Sequence, residues 1–455
     1  MNLPRREFLK AASVAPYCSV TAATEPPRSA NNIVRVGVIG TGVRGKYLIG
    51  NLPKSARVTA ICDCVKSRMA GTLEPKGIFV PVLQSFRDHS AARCATHQDY
   101  RQMLDREKLD AVIIATPDHH HAPAAMLALQ AGLDVYLEKP LTVSIREGRL
   151  LANIVKQTDR VLQVGSQQRT MEINRFACES IRDGGLGKVT KVELPNYPGP
   201  LTIGDMPSEP IPEGLDWNLF LGPTPWRAHS RKLWLKDEFK VDDLLWRGWD
   251  LYRDFSGHMM TNWGGHTVDM VQYALGKDDT GPVEIRAIPL DTSDESGRLW
   301  KHKTPLPRDA RERRFWPVVM RYADGVEVHF VHGPDYIRFH GERGILKMRR
   351  NHFETDPPDL VKNGPDPSVS ERWNGVGHVA RPHLQNWLDC IRTRGVPQAP
   401  VEVGHRTATI CHLANIAREL SRPLRWDPAT ERFPDDPAAN ELLVRPRRQW
   451  SAGGD

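Results

Sequence analysis

The feature that most constrains the fold is a short apolar segment followed directly by a glycine-rich turn. Residues 33–39 are apolar and β-branched, as in a strand buried on both faces. Gly40, Gly42 and Gly45 follow with the spacing G-x-G-x-x-G. In a strand–loop–helix unit, the first such glycine allows a tight turn, the second lets backbone amides approach a pyrophosphate, and the third allows close helix packing. The segment therefore predicts a dinucleotide-binding unit, with a plain βαβ packing motif as the alternative.

An acidic residue at the end of the second predicted strand indicates which dinucleotide is bound. Residues 58–62 form the apolar segment, and Asp63 follows it directly, about 20 residues beyond the glycine loop. A carboxylate there can accept hydrogen bonds from the adenosine ribose diol, which favours NAD over NADP. Lys66 and Arg68 follow and could reach a 2′-phosphate, so NADP stays open. The residues expected to bind this half of the cofactor are Gly40, Thr41, Gly42, Val43, Arg44, Gly45 and Asp63.

Composition and charge argue against several other classes of protein. The 455 residues, 40% of them hydrophobic, suffice for two globular domains. The net charge is +7, but 62 basic residues are scattered among 55 acidic ones without a basic, aromatic-rich stripe, so nucleic-acid binding is not expected. The sequence has no run of 18 apolar residues that could span a membrane, and its seven cysteines form no paired C-x-x-C clusters. We therefore expect no bound metal and no membrane span.

The N-terminus predicts export. Residues 5–10, RREFLK, are similar to a twin-arginine signal, and small residues at 20–23 provide a cleavage region. The alternative is a disordered basic leader on a cytoplasmic protein. Because twin-arginine signals carry folded proteins, a dinucleotide enzyme exported to the periplasm is expected to carry its cofactor tightly bound.

The order of strands and helices divides the chain into two domains. Up to residue 165, buried strands such as 110–115 and 134–138 alternate with helices, which predicts a parallel sheet and a Rossmann domain over residues 33–165. From residue 166, strand-like segments follow one another without intervening helices, which predicts an α+β domain with antiparallel pairing over residues 166–425. Residues 1–32 are assigned to the signal and a linker, and residues 426–455 to an irregular tail.

Lys139 is the first candidate for chemistry. It lies in the sequence Glu138-Lys139-Pro140, at the carboxyl end of a predicted strand, where the nicotinamide half of the cofactor is expected. In a partly closed cleft beside an oxidised nicotinamide, the charged form of an ammonium is disfavoured, which eases proton exchange with a substrate hydroxyl. The alternative is a solvated lysine before a turn-forming proline.

A second candidate lies on a predicted helix over residues 264–275. The helical period places His266 and Asp269 on one face. An imidazole oriented by a carboxylate can take the proton that alcohol oxidation releases. The alternatives are a structural histidine and a metal site, for which the sequence places no third ligand.

Taken together and in this order, these segments resemble the Gfo/Idh/MocA oxidoreductase family, and more narrowly its twin-arginine-exported bacterial members. The resemblance covers nearly everything after residue 33. It rests on residues 40–45 (GTGVRG), 115–121 (ATPDHHH), 138–140 (EKP), 164–169 (VGSQQR), 262–266 (NWGGH) and 402–406 (EVGHR). It implies an N-terminal Rossmann domain, a C-terminal domain with a large open sheet that often forms a dimer or tetramer interface, and a hydride-transfer site between the domains.

The resemblance also implies roles for individual residues. Lys139 matches the catalytic lysine, which binds the reacting hydroxyl, and His266 matches the catalytic histidine. Asn262 stands where many members have an aspartate; because an amide cannot take up a proton at neutral pH, proton removal would fall to His266 or Lys139. His258 replaces a small residue and is expected to narrow the substrate pocket. The residues expected to line the nicotinamide are Thr116, Pro117, His121, Glu138, Lys139 and Gln167.

The sequence leaves three functions open. The first is an NAD(P)-dependent oxidoreductase that moves a hydride between the nicotinamide and a secondary hydroxyl of a sugar, cyclitol or glycoside, with Trp246, Trp249 and Trp263 as candidate faces for a sugar ring. The second is a redox-neutral, NAD-dependent glycoside hydrolase or lyase, which the export signal favours. The third is a non-catalytic nucleotide-binding protein.

Overall fold

The computed structural model describes residues 33–233, 248–289, 313–333, 335–373 and 380–450. The predicted export signal and Trp246 lie outside these described residues. Among the helices within these ranges, none is long and apolar enough to cross a membrane.

The first domain is built on a parallel sheet of six strands. The strands are β1 (Val34–Ile39), β2 (Ala56–Cys62), β3 (Ala95–His97), β4 (Ala111–Ile114), β5 (Asp134–Leu137) and β6 (Leu162–Val164). They lie in the order β3-β2-β1-β4-β5-β6, and all neighbouring pairs are parallel. This is the strand order of the Rossmann fold, and β4 and β5 are buried along their whole length, as helices on both faces require. The predicted Rossmann fold is confirmed.

The helices of the first domain connect these strands. They are α1 (Val43–Gly50), α2 (Lys66–Leu73), α3 (Phe79–Val82), α4 (Gln84–His89), α5 (Tyr100–Arg106), α6 (His121–Gln130) and α7 (Ile145–Thr158). The start of α7 is fixed by Ser144, whose side chain accepts a hydrogen bond from the Glu147 N–H. Parallel strands joined by helices direct their carboxyl ends to one edge, where ligands of such sheets bind.

The second domain is built on a mixed sheet of eight strands. The strands are β7 (Val189–Pro195), β8 (Glu284–Ala287), β9 (Val318–Arg321), β10 (Glu327–Val331), β11 (Ile337–Gly341), β12 (Gly344–Arg349), β13 (His352–Asp356) and β14 (Leu424–Arg425). Their order is β13-β12-β11-β7-β10-β9-β8-β14, with β7 and β10 parallel and the other neighbouring pairs antiparallel. The predicted mainly antiparallel sheet is confirmed.

The described residues beyond the first domain form seven further helices. They are α8 (Glu172–Arg182), α9 (Trp217–Leu221), α10 (Met259–Asn262), α11 (Gly264–Leu275), α12 (Arg381–Thr393), α13 (Val401–Leu420) and α14 (Pro437–Glu441). The helix α11 begins and ends at the predicted residues, and Gly276 closes it in the left-handed conformation at φ +65°.

Two helices late in the chain join the domains. The helix α12 packs on the Rossmann sheet: Leu384 and Trp387 are fully buried in its core, and the Trp387 ring lies 5.7 Å from the ring of Tyr136. Along α13, Ala408 packs in a core of the first domain and Ile410 in the core of the second. Residue 165 therefore divides the chain between the two sheets, but α12 and α13, which come after it, contribute side chains to the hydrophobic core of the first domain.

The C-terminal segment packs against the body of the protein. Residues 426–450 contain the short helix α14 and otherwise mostly irregular backbone. Glu431 pairs with Arg149 and accepts from His405 Nε2 at 2.7 Å, and the guanidinium of Arg101 lies 4.0 Å from the centroid of the Trp450 ring. The segment returns to the first domain and is held there by ionic and aromatic contacts.

Candidate active site

The three glycines of the loop between β1 and α1 have different surroundings. Gly40 has φ +92°, and a Cβ there would lie 2.5 Å from the Ala115 carbonyl oxygen. A Cβ on Gly45 would lie 2.0 Å from the Gly40 carbonyl oxygen, whereas one on Gly42 would meet no atom within 4 Å. The turn and the packing therefore require Gly40 and Gly45, and Gly42 faces open space at the N-terminus of α1. Because a helix N-terminus stabilises an anion through its N–H groups and dipole, this loop fits a pyrophosphate.

Asp63 lies at the end of β2, as predicted, and binds the glycine loop. Its Oδ2 accepts hydrogen bonds from the Thr41 N–H at 2.8 Å and the Thr41 hydroxyl at 3.1 Å, and its Oδ1 accepts from the Val65 N–H at 3.0 Å. A carboxylate offers about four lone-pair directions; the fourth here faces the Cys64 thiol, a weak donor 3.8 Å from Oδ1, which a ribose hydroxyl would replace. Asp63 thus fixes the loop to the second strand at the position expected for the ribose.

A cleft of about 850 Å³ lies between the two domains. Residues that follow the strands of the Rossmann sheet line one side: Arg44, Thr116, His121, Glu138, Lys139 and Gln167. The segment from α10 to α11 and the strands β11 to β13 line the other side, with Asn262, Trp263, His266, Asp335, Arg349, Arg350 and His352. Of the residues expected around the nicotinamide, Pro117 does not line this cleft.

Lys139 connects the two sides of the cleft. Its Nζ donates a hydrogen bond to Asn262 Oδ1 at 2.9 Å and lies 3.4 Å from the Asn262 carbonyl oxygen. Burial lowers the pKa of Lys139, while the charges of Glu138 and Asp118 oppose that shift. A lower pKa eases proton exchange, because the charged form loses part of its advantage. The lysine is enclosed between the domains and is not solvated at an outer surface.

Glu138 and His121 hold the first side of the cleft in place. Glu138 Oε1 pairs with Arg44 Nε at 2.7 Å, which ties the end of β5 to the glycine loop. Gly165 packs on Glu138, since a Cβ there would lie 2.8 Å from the carboxylate. His121 Nδ1 lies 2.6 Å from the Pro140 carbonyl oxygen, and burial lowers the pKa of this imidazole. These contacts fix the segment that carries Lys139.

His266 lies near the start of α11 and faces the cleft. Its pKa is well below the usual range, first because of burial and then because of the positive charges of Lys139 and Arg350. A neutral imidazole can accept a proton from a substrate hydroxyl. His266 is thus in the protonation state that a proton acceptor requires.

The expected orientation of His266 by Asp269 is wrong. Asp269 Oδ1 accepts hydrogen bonds from Arg169 Nε at 2.8 Å and from the Thr407 hydroxyl at 3.3 Å. Within the described part of the chain, His266 Nδ1 has no hydrogen-bond partner. A buried carboxylate gains more from a charged guanidinium than from a neutral imidazole, so Arg169 takes Asp269.

A buried polar network lies next to the cleft. Ser256 Oγ lies 2.7 Å from Asp118 Oδ2 and 3.2 Å from Asp250 Oδ1, and His258 Nδ1 lies 2.9 Å from Asp250 Oδ2. Burial and the charge of Asp250 raise the pKa of Asp118 to about 8. His258 is fully buried in this network and does not line the described cleft, contrary to the expectation that it narrows the pocket. Asp250, Ser256 and His258 are close in sequence, but Asp118 is 138 positions from Ser256, so no local pattern indicates the complete network.

The aromatic residues expected to face a sugar are separated in space. Trp263 lines the cleft, and its ring centroid lies 6.2 Å from that of His266. Trp249 packs near His119, with a centroid separation of 6.5 Å, and does not line this cleft. Of the candidate tryptophans that the structure describes, Trp263 is therefore the one in position to contact a substrate there.

Comparison with known proteins identifies both domains. Residues 34–166 match the model of an oxidoreductase family with an NAD-binding Rossmann fold, and residues 202–452 match the model of the C-terminal α/β domain of the same family. The first domain is thus an NAD-binding domain.

The curated relatives match over a limited length. A protein named glycosyl hydrolase family 109 protein 2, from Shewanella sp. (strain ANA-3), is 32% identical over 180 residues, which cover 34% of this chain and 38% of the relative. An α-N-acetylgalactosaminidase from Shewanella oneidensis is 26% identical over 181 residues, covering 35% of this chain and 38% of the relative. The chain thus spans about two fifths of the length of these relatives.

Solved structures show the same fold. The WlbA dehydrogenase from Bordetella pertussis, solved in complex with NADH and UDP-GlcNAcA, superposes with a TM-score of 0.58 at 16% identity. The superposition covers 88% of this chain and 99% of that one. Identity this low supports a shared fold and nothing further.

Replacing Gly42 with alanine is expected to leave the fold intact and to weaken NAD binding. The new methyl group meets no protein atom within 4 Å but occupies the space assigned to the pyrophosphate. We expect about a tenfold loss of NAD affinity, equivalent to about 1.4 kcal/mol, measured by titration of the nucleotide. Gly45→Ala is the contrast: its Cβ would clash with the Gly40 carbonyl oxygen, so we expect a loss of about 1–3 kcal/mol in unfolding free energy. Wild-type NAD affinity in Gly42→Ala would contradict the assignment of the loop.

Proposed function

Because the chain belongs to the Gfo/Idh/MocA oxidoreductase family, we propose that it moves a hydride between NAD and a secondary hydroxyl of a sugar, cyclitol or glycoside. The observation that carries the proposal is the hydrogen bond of 2.9 Å from Lys139 to Asn262, which spans the two sides of the cleft that His266 also lines. This arrangement puts a hydrogen-bond donor and a proton acceptor in one cleft between a nucleotide domain and a second domain.

The residues of the cleft have complementary roles in this reaction. Bound nicotinamide supplies reversible hydride transfer with a substrate carbon. Lys139 Nζ donates a hydrogen bond to the reacting oxygen, and Asn262 Oδ1 holds the ammonium in position. His266, kept neutral by burial and by neighbouring cations, accepts the hydroxyl proton. Asn262 has no titratable proton, so it acts by positioning.

The cofactor proposed for this site is tightly bound NAD. The carboxylate of Asp63 lies at the ribose position, where it would repel the 2′-phosphate of NADP. Tight binding follows from the proposed export, since a protein folded before export would take its nucleotide along.

A second candidate function is redox-neutral cleavage of a glycoside. It is favoured by the partial matches to a glycosyl hydrolase family 109 protein and an α-N-acetylgalactosaminidase. In such a cycle Lys139 and His266 would have the same roles, and the cofactor would end each turnover in its starting redox state. A non-catalytic role is disfavoured, because Lys139 and His266 both line the cleft and both have lowered pKa values.

Replacing Lys139 with alanine is expected to reduce turnover by at least about 100-fold while the nucleotide stays bound. The variant loses the donor to the reacting oxygen but none of the glycine loop. The control is Lys54→Ala, which removes an exposed lysine. Sugars and glycosides are offered to cofactor-loaded protein while reduced-nicotinamide absorbance and released products are followed. If Lys139→Ala retained turnover, the role assigned to Lys139 would be contradicted.

The same assay separates the candidate functions in the wild-type protein. Sustained growth of the reduced-nicotinamide absorbance with added NAD identifies a dehydrogenase. Glycoside cleavage without net reduction identifies the redox-neutral cycle. Neither activity across the panel, with nucleotide still bound, would favour the non-catalytic alternative.

We also propose that the protein is exported to the periplasm by the twin-arginine route. The support is the sequence RREFLK at residues 5–10. Replacing Arg5 and Arg6 with lysine is expected to retain the protein in the cytoplasm, as measured by cell fractionation. Arg28→Lys, in the linker, is the control for charge-preserving change. Equal amounts of wild type and the double variant in the periplasm would contradict the proposal.

The proposal includes assembly of a homo-oligomer, dimer or tetramer, through the eight-stranded sheet. In β10, buried residues alternate with half-buried ones, so one face of the sheet packs on helices and the other is available for contact. The molar mass in solution, measured by light scattering, tests this; a monomer at assay concentrations would contradict it.

A further inference from the structure

The hydroxyl group of Ser256 lies between two buried carboxyl groups. Ser256 Oγ is 2.7 Å from Asp118 Oδ2 and 3.2 Å from Asp250 Oδ1. The same oxygen accepts a hydrogen bond from the His258 N–H at 3.0 Å. A serine hydroxyl has one proton, so it can donate to only one of the two carboxyl groups. The contact with the other is a hydrogen bond only if that carboxyl group carries a proton of its own.

The surroundings assign this proton to Asp118. Asp250 Oδ2 lies 2.9 Å from His258 Nδ1, whose N–H favours the ionised form of that carboxyl group. Burial and the negative charge of Asp250 raise the pKa of Asp118 to about 8, so Asp118 is the neutral member of the pair at pH 7. The chain of donors then runs from the Asp118 carboxylic acid to Ser256, and from the Ser256 hydroxyl to Asp250.

The neighbouring titratable groups are compatible with a neutral Asp118. The charge of Asp250 raises the pKa of Asp118, and the charge of Lys139 opposes that shift. The three residues that follow in sequence are neutral at pH 7, because burial lowers their pKa values: His119, His120 and His121. The charged groups that act on Lys139 are Glu138, Asp118, Arg44 and Asp250.

The network joins the first domain to the segment that positions Asn262. Asp118 follows β4, whereas Ser256 and His258 precede α10. His258 has φ +55°, a conformation that a histidine keeps only where its surroundings fix it, and its carbonyl oxygen accepts from the Asn262 N–H at 2.9 Å. Asn262 Oδ1 in turn accepts from the Lys139 ammonium at 2.9 Å. A continuous path of hydrogen bonds therefore connects Asp118 to the contact between Lys139 and Asn262.

We propose that Asp118 is a positioning residue for the reaction and that it acts as a carboxylic acid. Its proton completes the hydrogen bond to Ser256, and the resulting chain holds Asn262 where it orients the Lys139 ammonium. Loss of the proton leaves two buried carboxylates at one hydroxyl group, and like charges at this separation repel. The inference rests on the proposed function, because Asp118 acts on that reaction through Asn262 and Lys139.

Two substitutions at Asp118 separate its proton from its size. Asp118→Ala removes the donor and is expected to lower kcat about 10- to 100-fold, with less change in KM, because a displaced Asn262 misplaces the ammonium. Asp118→Asn keeps a donor to Ser256 and cannot ionise, so we expect a rate close to that of the wild type at pH 7. Equal losses of kcat in the two variants at pH 7 would overturn the proposal.

The pH dependence tests the proton itself. From pH 7 to pH 9, the ratio of the Asp118→Asn rate to the wild-type rate is expected to rise about tenfold, because a carboxyl group with a pKa of about 8 loses its proton over this range. The ratio cancels the titration of the other groups in the cleft. A ratio that does not change with pH would contradict the role of the proton.

The matched control is Asp110→Asn, at the opposite end of β4. Asp110 is buried, accepts hydrogen bonds from the Arg35 N–H at 2.8 Å and Arg35 Nη2 at 2.7 Å, and does not line the cleft. The substitution is expected to lower Tm and to leave the ratio of rates independent of pH. The same pH-dependent ratio in Asp110→Asn would mean a general effect of losing a buried carboxyl group and would overturn the assignment to Asp118.

Two further measurements on cofactor-loaded protein do not depend on turnover. In infrared spectra, the C=O stretch of a protonated carboxyl group is expected in the wild type at pH 6, weakened at pH 9, and reduced at pH 6 in Asp118→Asn. A crystal structure of Asp118→Ala is expected to show the hydrogen bond from Lys139 to Asn262 broken. Identical infrared spectra of the wild type and Asp118→Asn, or an intact hydrogen bond in Asp118→Ala, would overturn the proposal. Both expected results without hydride transfer or glycoside cleavage would support the role of Asp118 while the proposed function fails.

Discussion

The burial of α13 between the two sheets is the constraint on which the site depends. This helix of 20 residues is buried along most of its length. Gly404 lets it approach β6 closely, since a Cβ there would lie 2.6 Å from a methyl group of Val164. His405, one residue on, is held by Glu431 at 2.7 Å, and Glu431 is paired with Arg149 of α7. A helix packed this closely on both sides fixes the orientation of the domains.

The chemistry of the cleft follows from that fixed orientation. Lys139 comes from the first domain, and Asn262 and His266 come from the second. The hydrogen bond of 2.9 Å from Lys139 to Asn262 therefore forms only in this relative orientation of the two domains. Burial then acts on both titratable groups in the same direction, lowering the pKa of Lys139 and of His266. A lysine whose charged form is disfavoured by burial and a neutral imidazole thus line the same cleft.

Much of this architecture depends on short sequence segments and could be predicted from them. The hydrogen-bond and ion-pair partners of the site residues could not be predicted. The glycine loop, the Rossmann strands and α11 follow from short-range periodicity and turn chemistry. The ion pair of Asp269 with Arg169 joins residues 100 positions apart, so the helical face alone suggested His266 as its partner. β13 was not predicted because its residues are exposed or half-buried and form no buried apolar pattern. The contact of Asn174 with the turn between β12 and β13 joins two elements that are distant in sequence, so no local pattern indicates it.

The central claim is that the nicotinamide half of the cofactor lies in the cleft with its reactive face toward Lys139 and His266. A crystal structure of the protein with NADH bound tests this most directly. The account predicts the pyrophosphate against Gly42 and the nicotinamide ring in contact with Thr116 and Gln167, next to the Lys139 ammonium. A nicotinamide ring outside the cleft, or a pyrophosphate away from the glycine loop, would contradict it.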